Sequence, residues 1–146
     1  QILLRTLSWR MNPPTTKAFV DRFLPLLRLP RGNLASTVSE RAQFFAELSV
    51  FDYFFVTENP SAVAYTSILN AVQGLCPSHI PKDVVWSFQE DMERYVFLGY
   101  QRSWLESMRA RLWHLYGKSS ECKIQKKGSL PVVAVEKKDS GQRQRD

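Results

Sequence analysis

Apolar side chains recur every three or four positions along most of this chain, and strict apolar–polar alternation is absent from residues 1–117. The first spacing stacks side chains on one face of an α-helix, whereas alternation marks strands. Asn12-Pro13-Pro14 breaks the chain and leaves Thr15 to cap a first helix, with Phe19, Phe23, Leu26 and Leu27 on its face and Val20 and Leu24 beside them. Pro30-Arg31-Gly32-Asn33 is a turn by composition. A second helix is expected over about residues 36–52, with Val38, Ala42, Phe45, Leu48 and Phe51 on one face and Phe44 and Val50 broadening it. Asn59-Pro60 then supplies a cap and a first-turn proline. Residues 61–75 carry no charge, which suits a helix at the centre of a bundle, and Ala62, Ala64, Ser67, Ala71 and Gly74 are small enough for neighbours to approach closely. Beyond the break at residues 76–81, Val84, Val85, Phe88, Met92, Tyr95 and Val96 form the face of a fourth helix. Trp104, Leu105, Met108, Leu112, Leu115 and Tyr116 form that of a fifth, stopping at Gly117. The pattern predicts an all-α bundle of five helices, preceded by the end of another helix at residues 1–8.

Composition and charge change the picture at the two ends. The chain has 146 residues and a net charge of +6, and residues 1–117 hold 12 Lys/Arg against 10 Asp/Glu. Residues 118–146 hold 8 basic and 4 acidic groups and no aromatic side chain. Such a segment buries too little apolar surface to offset its conformational entropy, so a flexible, disordered basic tail is expected there. Its apolar piece Leu130-Pro131-Val132-Val133-Ala134-Val135 could form a strand or docking peptide, but an unstructured stretch is the expectation. At the other end, Gln1 opens directly onto Ile2, Leu3, Leu4, Leu7 and Trp9. So greasy a start suggests a piece cut from a longer protein. No apolar run approaches the ~18 residues of a membrane span. Cys76 and Cys122 fit neither a disulfide framework nor zinc spacing. An intracellular protein without metal or cofactor is expected.

Catalytic chemistry is hard to find. His79 and His114 lack a Ser/Asp or Cys partner pattern, and both read as surface histidines. Gly117-Lys118-Ser119 resembles the end of a phosphate-binding loop, but the glycine that motif needs is Leu112 and the sequence follows a helix, not a strand. Glu90-Asp91-x-Glu93 reads as a solvated helix face, not as paired carboxylates or a metal site. For nucleic acid, the best stripe is Arg102, Arg109 and Arg111 beside Trp104 and Trp113. Three arginines are few, and the tail suits at most a non-specific electrostatic helper or an import signal. An enzyme is not expected, and nucleic acid is not the expected partner.

The order of short motifs, however, is familiar. ILLRTLSWRMNPPTTKAFVDRFL, AELSVFDYFF and NPSAVAYTSILNAVQGL, taken together, resemble the carboxy-terminal half of a cyclin. The resemblance implies that residues 1–9 end the last helix of an amino-terminal cyclin box and residues 10–14 are a linker. Residues 15–27 would then be helix one of the second box, with Glu47-Leu48-Ser49 on its second helix and Pro60-Ser61-x-x-Ala64 on its third. The ending Ala71 to Leu75 has some D-type likeness. The implied domains are 1–14, helix end and linker; 15–117, the cyclin-fold bundle; and 118–146, the tail. The structural residues are Glu47, Pro60, Ser61, Ala64 and Ala71. Glu47, in an otherwise apolar stretch, is expected to hydrogen-bond a neighbouring helix end. Leu3, Leu4, Leu7 and Trp9 are expected to pack between the boxes.

The implied function is regulatory. A cyclin binds a cyclin-dependent protein kinase and activates it by preferring its active conformation, in the nucleus or cytoplasm. This part would be mainly scaffold, because most kinase contacts lie in the amino-terminal box. Arg5-Thr6-Leu7 and Arg22-Phe23-Leu24 match cyclin-docking tripeptides only superficially, since both fall in expected helices. The alternatives are a cyclin-fold transcription or pocket-protein module and a basic helical nucleic-acid-binding domain.

Overall fold

A computed structural model of the chain describes residues 13–75, 79–97 and 99–119. Helix α1, Thr16–Phe23, starts as expected, with the Thr15 hydroxyl oxygen accepting from the Ala18 amide at 3.2 Å. Pro25 offers no amide hydrogen and crowds the residue before it, so the chain tightens into a 3₁₀ turn over Leu24–Leu27. Val20, Phe23 and Leu27 are buried, while Leu26, expected on the same face, points outward.

Helix α2, Asn33–Leu48, begins earlier than the expected residue 36 because Gly32 adopts φ 144°, which lets the turn feed straight into Asn33. It also ends earlier. The Ser49 hydroxyl donates to the Ala46 carbonyl at 2.6 Å, and the Asp52 carboxylate accepts from the Phe54 amide at 3.0 Å. Such local bonds compete with the helix, and the chain continues as 3₁₀ turns over Ser49–Phe51 and Tyr53–Thr57. At three residues per turn, side chains past Leu48 rotate off the helical face. Val50 and Phe51, expected in the core, are therefore 79% and 82% exposed.

Helix α3, Pro60–Gln73, is the centre of the bundle, and every residue from Ala62 to Val72 is buried. It packs against α1, α2 and helix α5, Arg102–Lys118. Gly74 corrects the small-residue reading. It is the exposed end of α3, and a Cβ there would meet the Arg41 guanidinium at 2.0 Å. The glycine leaves room for Arg41 Nε to donate to the Ala71 carbonyl at 3.3 Å, which satisfies one of the open carbonyls at the helix end.

Helix α4, Lys82–Tyr95, buries Phe88 and Met92 and packs on the Leu24–Leu27 turn. Tyr95 and Val96, expected on its inner face, are exposed. The Val96 and Phe97 amides both bond the Met92 carbonyl, and this tight end swings Phe97 inward. Its ring lies 5.0 Å from that of Tyr65. On α5, Leu105, Met108, Leu112 and Tyr116 are buried, whereas Trp104 lies at the edge. Among the described residues the architecture is all-α, five α-helices with no strand. The helix end and linker at residues 1–12, and the tail from residue 120, lie outside the described residues.

Candidate functional site

The small residues of α3 set how closely the helices approach. Ala64 and Ala71 are fully buried. Pro60 opens the helix, Ser61 is half-buried beside it, and the Ala62 and Val63 amides donate to the Asn59 carbonyl. Asn59 does not cap with its side chain as expected, because its amide nitrogen donates instead to the Tyr100 hydroxyl at 2.7 Å. Glu47 also departs from expectation. Its side chain is exposed and makes no hydrogen bond or ion pair with a described residue, because the α2 end places it beside Thr15, Thr16 and Lys17 in a shallow pocket of about 250 Å³.

A polar tie between α3 and α5 is not legible in the spacing of either helix. Asn70 is buried, and its amide nitrogen donates to the Arg109 carbonyl at 3.0 Å. Arg109 returns a bond from Nε to Asn70 Oδ1 at 3.4 Å, and also donates to Gln73 at 2.7 Å and to Glu106 at 3.1 Å. Thr66 and Ser67, by contrast, bond back to carbonyls of their own helix. Tyr65 is the exception among these buried polar groups. Its hydroxyl finds no partner among the described residues, and burial pushes the phenol pKa well above its ordinary value.

A second tie joins the 3₁₀ segment to α5. Asp52 accepts from Arg111 Nε at 2.5 Å and from Nη2 at 3.1 Å, and the Arg111 guanidinium lies 4.7 Å from the Phe54 ring centre. The Arg111 hydrogen bond, aided by the Phe54 amide, holds the Asp52 carboxyl below the usual carboxylate range. The same bond raises Arg111. Trp104 donates to Glu58 at 3.0 Å and leans on Phe54, while Trp113 stacks on Phe45.

The three arginines of the candidate nucleic-acid stripe face carboxylates of this chain. Arg102 faces Glu93 at 3.6 Å, Arg109 faces Glu106 and Arg111 faces Asp52, so each cation already has a carboxylate. Glu90 of the acidic run is an exposed partner of Arg94 at 3.0 Å. His79 and His114 are exposed and on different elements. Among the described residues no group of three or more His, Cys, Asp or Glu side chains is placed to hold a metal. Gly117-Lys118 ends α5, a helix C-terminus that presents carbonyls, not amides, to a phosphate. Phe23 of the Arg22 tripeptide is buried in α1, and the Arg5 tripeptide lies outside the described residues.

The described surface also carries two apolar features. A groove of about 400 Å³ between α3 and α4 is lined by Leu69, Val72, Ile80, Val85 and Trp86, with Lys82 at its edge. On another face, Val50, Phe51, Tyr53 and Val56 stand exposed within seven residues. No helix of the described residues is long and apolar enough to cross a membrane.

Comparison with known proteins adds to this geometry. The profile of the family described as "Cyclin, C-terminal domain" matches residues 14–137. Among curated proteins, Cyclin-A2-1 of Oryza sativa subsp. japonica is 29% identical over 123 residues, 84% of this chain and 24% of that protein. Cyclin-A1-4 of the same organism is 33% identical over 86 residues, 59% of this chain and 24% of that protein. G1/S-specific cyclin-D1 of Canis lupus familiaris is 32% identical over 74 residues, 51% of this chain and 25% of that protein. The chain thus spans about a quarter of the length of these relatives. No solved structure matches the chain at comparable significance.

Proposed function

This chain belongs to the cyclin family, as a carboxy-terminal cyclin domain, and from that premise we propose that it is the supporting second box of a regulatory subunit for a cyclin-dependent Ser/Thr protein kinase. The observation that carries the reading is the family match across the whole bundle, residues 14–137. The structure supports a scaffold role in particular. Its buried positions are given to packing around α3, and Arg41, Arg109 and Arg111 bond across elements, to Ala71, to Asn70 and Gln73, and to Asp52. A transcription module on the same fold is the weaker alternative, because the curated relatives reported above are cyclins. The nucleic-acid reading is weaker still, because Arg102, Arg109 and Arg111 each face a carboxylate.

In this reading the domain performs no chemistry of its own. The kinase-facing surface belongs to an amino-terminal box, and activation is the difference in affinity between the active and inactive kinase conformations. Leu3, Leu4, Leu7 and Trp9 pack between that box and this one. Pro60, Ser61, Ala64 and Ala71 hold the second box in shape. The intact protein works in the nucleus, the cytoplasm or both.

The test is a kinase assay with residues 1–146 and the intact protein, each mixed with a panel of cyclin-dependent kinases. The intact protein should activate at least one kinase, and residues 1–146 alone should activate none. Strong activation by residues 1–146 would refute the supporting role. Failure of the intact protein across the panel would shift the reading to the transcription module.

A further inference from the structure

The exposed apolar stretch at the end of α2 is the part of the surface that the bundle does not explain. Val50, Phe51, Tyr53 and Val56 are 79%, 82%, 82% and 68% exposed, although single scattered apolar residues are the norm on a surface. Val50 also lines the shallow pocket shared by Ala46, Glu47, Thr15, Thr16 and Lys17. Val50, which opens this exposed stretch, therefore lies beside Thr15, close to where the chain upstream of Pro13 joins the bundle. That upstream stretch carries Ile2, Leu3, Leu4, Leu7, Trp9 and Met11, two arginines and no acidic residue. Glu47, in the same pocket, has no hydrogen-bond or ion-pair partner among the described residues.

We propose that residues 2–11 dock onto this face, with Arg10 paired to Glu47 and the side chains of the Leu3–Trp9 run covering Val50, Phe51 and Tyr53. This rests on the reading of that run as packing between the boxes, and it names the surface of this box that receives it. The reach is sufficient. Arg10 and Thr15 are five positions apart, a stretch that spans at most about 17 Å, and Thr15 lines the same pocket as Glu47. Charge favours this occupant, since the run brings two cations and no anion to a carboxylate that shares its pocket with Lys17 but makes no ion pair among the described residues. The tail is the poorer candidate, because its apolar piece begins only at Leu130, beyond four of its lysines.

The test places a photo-cross-linking phenylalanine analogue at Phe51 or Tyr53, whose exposure leaves the bundle undisturbed. Irradiation of residues 1–146, mixed with an isotopically labelled copy, should join the probe to a peptide from residues 1–12 of the same chain. Cross-links to residues 120–146, to the second copy, or to nothing would overturn the proposal. A charge-reversal cycle reads the ion pair. Arg10→Glu and Glu47→Arg should each speed amide exchange in residues 2–11 about two- to fivefold, and the double reversal should restore it. Exchange at the rate of an unfolded peptide in the parent chain, or singles that fail to couple, would also overturn it. Neither readout involves a kinase, so a failed kinase panel would leave this docking standing and a failed cross-link would leave the kinase reading standing.

Discussion

Single side chains divide here into those that pack and those that tie. Ala64 and Ala71 have no accessible surface, so there is no void into which a larger side chain could grow. Leu at either position should cost about 1–3 kcal/mol by overpacking, read from the shift of a denaturant unfolding midpoint. An unchanged midpoint for both would remove α3 from the centre of the bundle. Tyr65 makes the opposite case, since its ring packs against Phe88 and Phe97 while its hydroxyl is buried without a described partner. Tyr65→Phe keeps the ring contacts and removes the unpaired group, so stability should hold or rise by up to about 1 kcal/mol. Tyr65→Ala should lose about 3–5 kcal/mol through the cavity it leaves. A Phe variant as damaged as the Ala variant would show that the hydroxyl is bonded after all. Neither Tyr65 nor Asn70 stood out in the sequence as a polar group inside the core, because an uncharged helix does not reveal which polar atoms it buries or what they meet.

Among elements, the contrast lies between helices with regular spacing and segments shaped by local bonds. Helices α1 and α5 bury largely the residues that the apolar spacing picks out, and the uncharged α3 is buried on every side. The end of α2 does not, because Ser49 and Asp52 divert the backbone into 3₁₀ turns and turn Val50 and Phe51 outward. The Asp52–Arg111 pair then fastens this irregular segment to α5. Its titration has a defined sign. A carboxyl whose folded pKa lies below its unfolded value of about 3.9 adds stability at pH above that value and loses it as pH falls through the folded value. Asp52→Asn should therefore lower stability at neutral pH, and the gap to the parent should close progressively on acidification below about pH 4. A gap that stays constant down to acid unfolding would mean that the pair contributes nothing to the native state.

For the molecule as a whole, limited proteolysis sets the boundary of the folded unit. The last described helix ends at Lys118, yet the family match runs on to residue 137. On the reading of residues 118–146 as a removable tail, trypsin should cut after Lys126 or Lys127 long before it opens the bundle, and the trimmed body should keep its unfolding midpoint. Protection of those lysines to the same degree as the arginines of α5 would place residues 120–137 in the folded unit. The second open boundary is at the other end, where the proposed docking of residues 2–11 would cover apolar surface that the bundle alone leaves to water.

The helical class, the central place of residues 61–75 and the family resemblance were all readable from the chain itself. Each is a property of spacing, charge and motif order along the sequence, and burial of α3 on every side follows from the absence of any charge on it. The fate of the arginines was not readable. Arg102, Arg109 and Arg111 look like a cationic stripe in sequence, but the carboxylates of Glu93 and Asp52 reach two of them only after the chain has folded, from elements 9 and 59 residues away in the chain. Glu47 was placed by the same logic, because whether it meets a helix end or open surface depends on how α2 terminates beside α1. Sequence periodicity reports which face of a helix is apolar; only the packed arrangement decides which polar groups from distant segments come within bonding distance.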